Sequence, residues 1–301
     1  MQQGSTILQY LTFRPNSSFN DPATSEGKLW NAALKYVTQT QGWGDLHWGT
    51  RVASEEAVVD LLISWASNAD LLYFMTHDYA AFLTIFNALL LPGEPSISSP
   101  SPYVLQLHPG IPNLDLGTVS SVYELSYHSE VDENIKTGLF IEKQICRSMF
   151  MEAAEGIGDG FDFLNMDATW AEPYHAIESP SPSSDASVSA ALEKQDQRKQ
   201  DEKTQTQTLF IITDWTRPET ERLISDTGRI EDHSTDGVLT AGKYFEKNML
   251  QTADHYTNHH VAFENVSKAN VAWLDRDEKW STYVMRLLAE EQRRKEGVTT
   301  E

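Results

Sequence analysis

Histidine, tyrosine, arginine and aspartate, the residue types that move protons or hold oxyanions, recur at strand-like and helix-like positions along this sequence. In the run Trp43-Gly-Asp-Leu-His-Trp-Gly-Thr-Arg51, strand alternation puts His47, Gly49 and Arg51 on one face and Trp48 on the other. There His47 or Arg51 could polarise a substrate carbonyl beside an aromatic wall, and only one of the two faces, with its own subset of His47, Trp48, Arg51 and Trp65, can line any single cavity. The competing role is a tryptophan in the core and an arginine paired at the surface. His77 and Tyr79 sit on a helical stretch with Phe82: a neutral imidazole could accept an α-proton while a phenol holds the developing enolate. Otherwise His77 faces solvent with Tyr79 packed under it. His108 closes a fourth strand. In the second half Tyr123, His128, Asp167, Trp170, His175, Asp214 and Trp215 lie on or just after strand-like runs. Asp214 takes the position that Ser64 has in the first half, and a buried carboxylate there would be an acid or base with a raised pKa.

Other combinations lead nowhere. His255, His259 and His260 have no third ligand at a recognisable spacing, and no His-Glu-x-x-His run occurs, so no metal is expected. Gly156-Ile-Gly-Asp-Gly160 precedes a strand instead of opening a helix and reads as a turn. Cys146, the chain's single cysteine, falls among apolar helix positions and reads as a buried structural thiol. There is no Ser-His-Asp signature, P-loop or haem-attachment run, and no cofactor is expected.

The elements that must position these residues follow from hydrophobic period. Thr6 to Phe13 alternates as a strand. Trp30, Ala33, Leu34 and Val37 keep helical spacing up to a Gln41-Gly42 stop. Trp43 to Val52 and Val58 to Trp65 form a hairpin. Asn68 is read as the N-cap of a helix reaching Leu90, and Tyr103 to His108 is a short strand. The order is βαββαβ, and it returns: strand Val119 to Tyr127, helix Glu133 to Ala154 with Ile135, Leu139, Ile145 and Met149 inward, and strand Phe161 to Trp170. Strand Thr208 to Trp215, a helical stretch from Arg217 to about Met249 interrupted by Gly228 and Gly237, and strand His255 to Phe263 complete it. Residues 178–207 are polar and rich in Ser and Pro, then in Lys, Glu and Gln, and are expected to be a disordered insertion. The domains expected are a first repeat 1–110, a second 111–265, and a tail 266–301 whose Trp280, Val284, Leu287 and Leu288 mark an amphipathic C-terminal helix.

Composition bounds the function. The 301 residues suffice for two modest domains at about 150 residues each. A formal charge of -21, from 23 basic against 44 acidic residues, repels nucleic acid and anionic membranes, so the partner expected is a neutral, cationic or hydrophobic small molecule. With one cysteine, no signal-like start and no long apolar run, the chain is expected to be cytoplasmic and not membrane-bound, as a monomer or homodimer.

The segments Trp43-Gly-Asp-Leu-His-Trp-Gly-Thr-Arg51, Val59-Asp-Leu-Leu-Ile-Ser-Trp65 and His77-Asp-Tyr-Ala-Ala-Phe82, set in two βαββαβ units, resemble the dimeric α+β barrel superfamily, and its fungal members in particular. That group contains antibiotic biosynthesis monooxygenases, stress-responsive barrel proteins and small polyketide cyclases. The second copy keeps Ile211-Ile-Thr-Asp-Trp215 and lacks the Tyr-Phe pair. The resemblance implies an α+β fold of two ferredoxin-like repeats forming an intramolecular barrel, plus the C-terminal helix. It also implies a cofactor-independent enzyme of secondary metabolism directing cyclisation, isomerisation or rearrangement of a hydrophobic polyketide- or terpenoid-like intermediate. The candidate catalytic residues, read from their types and positions, are His47, Arg51, His77, Tyr79 and Asp214. Trp48, Trp65, Phe82, His108, Tyr123, Asp167, Trp170 and Trp215 are the candidates for binding. A cofactor-free monooxygenase on a phenol and a non-catalytic ligand-binding or stress-response barrel protein are the alternatives. A fold of this kind fixes a type of pocket, not a reaction.

Overall fold

The computed structural model describes residues 6–13, 17–52, 57–86, 89–90, 102–105, 119–128, 131–157, 163–173, 206–216, 218–227, 229–232 and 237–266. They fall into two compact units, which divide after Ser120 and again after His259. His108, His175, most of the 178–207 insertion and the 266–301 tail beyond Val266 lie outside the described residues.

In the first unit the order is β1 (Thr6–Phe13), α1 (Ser25–Gln39), β2 (Trp43–Arg51), β3 (Ala57–Trp65), α2 (Asn68–Tyr73), a π-helical turn (Phe74–Asp78), α3 (Tyr79–Phe86) and β4 (Tyr103–Leu105). The C-terminal half of β10 (His255–Val266) joins them, so the sheet runs β4-β1-β3-β2-β10, with neighbouring strands antiparallel. Alternation in β1 and β3 is what makes them strands with two distinct faces. One face carries Ile7, Leu11, Val59, Leu61, Ile63 and Trp65, which share a core with Trp30, Leu34 and Val37 of α1 and Phe82 of α3. Each of those large side chains contributes about 1.5–3 kcal/mol by leaving water. Thr24 caps α1 by accepting from the Gly27 amide at 2.9 Å. The turn after it needs Gly42, whose φ of +77° is hostile to other residues.

The stretch read as one helix from Asn68 to Leu90 is instead α2, the π-helical turn and α3. Its cap is Ser67, not Asn68: the Ser67 hydroxyl accepts from the Asp70 amide at 3.2 Å. A π turn inserts an extra residue without breaking the apolar stripe, so the hydrophobic period alone gives no sign of it.

The second unit holds β5 (Val119–Tyr127), α4 (Glu133–Ile157), β6 (Phe163–Pro173), β7 (Gln207–Trp215), α5 (Pro218–Thr227), the hairpin β8 (Arg229–Asp232) and β9 (Gly237–Thr240), α6 (Ala241–Asn248) and the first half of β10. The sheet runs β10-β5-β7-β6. With the β8–β9 hairpin and the share of β10 in the first sheet left out, the sheet strands of each unit lie in the order fourth, first, third, second along the chain. Tyr123, Leu125, Met149, Phe150, Ile211, Trp215 and Phe245 form its core. The helical stretch from Arg217 to Met249 is corrected: the two glycines mark a β-hairpin between two short helices. Ile135 is also corrected, since it is 51% exposed. Helical period gives its direction around the axis but not whether anything lies there. The insertion's last residue, Gln207, belongs to β7 and accepts from the Val131 amide at 3.2 Å.

Candidate active site

The two faces of the first sheet sort the expected residues. Trp48 lies on the helix-covered face, edge-on to Trp30 at 5.4 Å and to Phe19 at 6.0 Å. Trp65 packs on Phe74 at 4.6 Å, and Phe82 is fully buried in the same core. These rings hold the helices to the sheet. Tyr79 is on this side as well, its hydroxyl donating to Gln9 Oε1, and burial raises its pKa above the usual phenol value. His77, two residues earlier on the π turn, is exposed, stacked on Tyr73 at 4.4 Å with Nδ1 2.7 Å from Thr76 Oγ1. The structure does not bring His77 and Tyr79 together.

The opposite face carries His47 and Arg51 of β2, as alternation requires. They are four residues apart on one strand, a separation of about 13 Å at a rise of 3.3 Å per residue. Gly49 between them lets β10 come close: a Cβ there would lie 2.3 Å from the Ala262 carbonyl oxygen. Arg51 Nε donates to Asp60 Oδ1 at 2.9 Å, and its guanidinium carbon sits 4.6 Å from the centroid of the Tyr10 ring. Asp60 is fully buried and the Arg51 side chain is 23% exposed. The ion pair is made through Nε, which leaves the two Nη nitrogens of the fork outside it. Around this group the face is apolar: Leu8, Leu62, Val261 and Phe263 are buried, as is His47. An arginine oriented by a buried carboxylate, with its fork open and aromatic carbon beneath it, can take a carbonyl, enolate or phenolate oxygen.

Asp60 and Tyr10 were not among the residues singled out. A signal for Asp60 existed: a lone carboxylate inside Val58-Val-Asp-Leu-Leu-Ile63 must find a cation or remain an uncompensated buried charge.

In the second unit Asp214 is buried on β7, opposite Asn165 of β6 in the ladder. Trp215, on the other face, is core: its Nε1 donates to Thr213 Oγ1 at 3.0 Å and its ring meets Phe150 at 5.6 Å. Tyr123 and Ser121 both donate to Glu221 of α5, each at 2.6 Å. Burial, then the Glu221 charge, hold the Tyr123 phenol well above its usual pKa. Sequence reading missed Glu221, which had nothing to distinguish it from other helix carboxylates. Asp167 pairs with Lys143 of α4 at 3.2 Å, and Trp170 lies beneath Lys136 Nζ, 5.5 Å from the ring centroid, with Tyr127 at 5.2 Å. His128 is exposed, and its backbone amide donates to Asp254 at 2.7 Å. Cys146 is buried, its thiol pushed up to about 12 by burial and then by Glu142. Among the described residues no cluster of metal-ligating side chains is present, and no helix is long and apolar enough to cross a membrane.

No family model matches the sequence, and no curated protein matches it. Among solved structures the chain is similar to an anthrone oxidase-like protein at 10% identity, covering 88% of this chain and 94% of that one, with a TM-score of 0.43. It is similar to a protein assigned as a monooxygenase from Lactobacillus acidophilus NCFM at 8% identity, covering 89% and 97%, TM-score 0.41. A third similarity is to the chlorite dismutase of Candidatus Nitrospira defluvii, at 8% identity, covering 91% and 96%, TM-score 0.40. Likenesses at these identities and TM-scores carry no inference about activity.

Proposed function

We propose that this chain is a tandem ferredoxin-like member of the dimeric α+β barrel superfamily. In this reading it is an enzyme of secondary metabolism that binds a hydrophobic polyketide- or terpenoid-like intermediate and directs its cyclisation, isomerisation or rearrangement by moving a proton between the substrate and a side chain. The repeated strand order of the two units supports the first part. The single observation that supports the second is the Arg51 guanidinium, held through Nε by the fully buried Asp60 and laid over Tyr10 beside the apolar Leu8, Leu62, Val261 and Phe263.

On this reading Arg51 holds the oxygen of a substrate carbonyl and stabilises the enolate that forms when an α-proton leaves. His47, on the same face of β2, is the residue whose type suits taking and returning that proton. Leu8, Leu62, Val261 and Phe263 supply apolar contact that exposes the reacting conformer to little water. Asp214, at the position that Ser64 holds in the first unit, is the second unit's candidate acid or base.

Arg51→Lys separates charge from geometry, because an ammonium keeps the pairing with Asp60 and loses the open fork. The expected result is a fall in kcat of about 10²–10³, the scale of one lost oxyanion donor, with a melting temperature close to that of the unaltered protein. Unchanged turnover would contradict the assignment. An oxygen electrode run on the same reaction is expected to read no consumption; uptake of one O2 per product would replace the proposal with the phenol monooxygenase.

A further inference from the structure

A different cluster, in the second unit, has no part in the reading above. On a chain with 44 acidic and 23 basic residues, α4 places Lys136, Lys143 and Arg147 along one edge, at intervals of seven and four. Those intervals return to the same side of a helix. The edge faces β6, where Lys143 meets Asp167 at 3.2 Å and Lys136 sits over Trp170. Lys136 and Lys143 have carboxylate partners, Glu133 at 2.9 Å and Asp167. Arg147 differs, since its Nε is buried and has no hydrogen-bond partner among the described residues. A desolvated guanidinium N–H without an acceptor is costly, and an anion is the group that relieves it.

Beside these cations lies exposed apolar surface. Phe140 is 52% exposed and Ile141 54% exposed, and the Lys143 Nζ is 4.9 Å from the Phe140 ring centroid. Lys143 and Arg147, four apart on the helix, are neighbours at about 5–6 Å between Cβ atoms, close enough to share one carboxylate. The ammonium of Lys143 has three donors, and Asp167 takes one of them.

We propose that the α4 edge and β6 form a binding site for an amphipathic anion, an aromatic or alicyclic carboxylate, with Arg147 and Lys143 taking the carboxylate and Phe140 the ring. Lys136 over Trp170 closes the end of the site nearer the start of α4. The site lies wholly within one unit and does not depend on the reaction assigned to Arg51. Its ligand is recognised by the pairing of one negative charge with one flat apolar body.

The test is calorimetric titration of the full chain with 1-naphthoate, and separately with inorganic phosphate. The unaltered protein is expected to bind naphthoate saturably, more tightly than phosphate, with an affinity that falls as salt rises. Arg147→Gln is expected to weaken naphthoate at least tenfold. Phe140→Ser, at an exposed ring, is expected to weaken naphthoate severalfold and leave phosphate unchanged. Arg222→Gln, on the exposed i,i+4 pair with Asp226, is expected to change neither. Absence of saturable naphthoate binding, or equal affinity in Arg147→Gln, would overturn the site. Equal loss of phosphate and naphthoate in Phe140→Ser would overturn the role given to the ring.

Discussion

At the scale of single residues, the account turns on buried charge. Asp60 is fully buried and pairs with Arg51 at 2.9 Å. Arg51→Leu removes the paired cation from a buried carboxylate and is expected to cost about 3–5 kcal/mol in urea unfolding. The double variant Arg51→Met with Asp60→Leu is expected to regain most of that loss, because it removes both charges. Failure of the double variant to recover would mean that Asp60 is held by something other than Arg51. Cys146 gives a second residue-level prediction. With its thiol pushed up to about 12, it is expected to resist a thiol reagent at pH 8 in the folded protein and to react fully in denaturant. Which face each residue takes was legible from alternation, and His47 and Arg51 lie where it puts them, away from Trp48. What the arginine binds was not legible, because its partner is nine positions away on another strand, and only the β2–β3 register brings them together.

At the scale of elements, local pattern determines most strands and helices. Thr6 to Phe13, Val119 to Tyr127 and the strands ending in Trp65 and Trp215 are set by alternation and turn residues that a reader of the sequence can see. The π turn at Phe74–Asp78 and the hairpin Arg229–Thr240 were not visible, since neither interrupts hydrophobic spacing in a way that period alone resolves. One strand contact makes a sharp test. Gly49→Ala places a methyl group 2.3 Å from the Ala262 carbonyl oxygen and 2.7 Å from Val261 Cγ1, so β10 must move off β2. The expected loss is about 1–3 kcal/mol in chemical unfolding, the usual cost of overpacking. A variant as stable as the parent would show that β10 does not lie against Gly49 as described.

At the scale of the whole molecule, alkaline pH reports on how the phenols are buried. Burial raises Tyr79, Tyr123 and Tyr127 above the ordinary value of 10.0, and Cys146 above 9.0. The unfolded chain therefore releases protons that the folded one keeps. Stability is fully present below about pH 9 and falls as pH rises beyond it, with the tyrosine share lost above pH 10. Unfolding free energies measured from pH 8 to 11 check the sign. Deletion of residues 178–205 is expected to leave cooperative melting intact, because β6 and β7 already pair from Asn165 and Asp214 to Ala171 and Thr208 without that segment. The chain's function was legible only as a kind of pocket, since neither composition nor period specifies which polar groups converge on one face. The most direct test of the central claim is native mass spectrometry of the protein expressed beside its neighbouring genes, with any captured molecule and its precursor then offered to fresh enzyme and to Arg51→Lys. The account predicts a hydrophobic small molecule whose precursor is converted with no change in mass by the unaltered protein and about 10²–10³ more slowly by the variant. A precursor left unchanged over many equivalents, or turned over equally by both proteins, would contradict it.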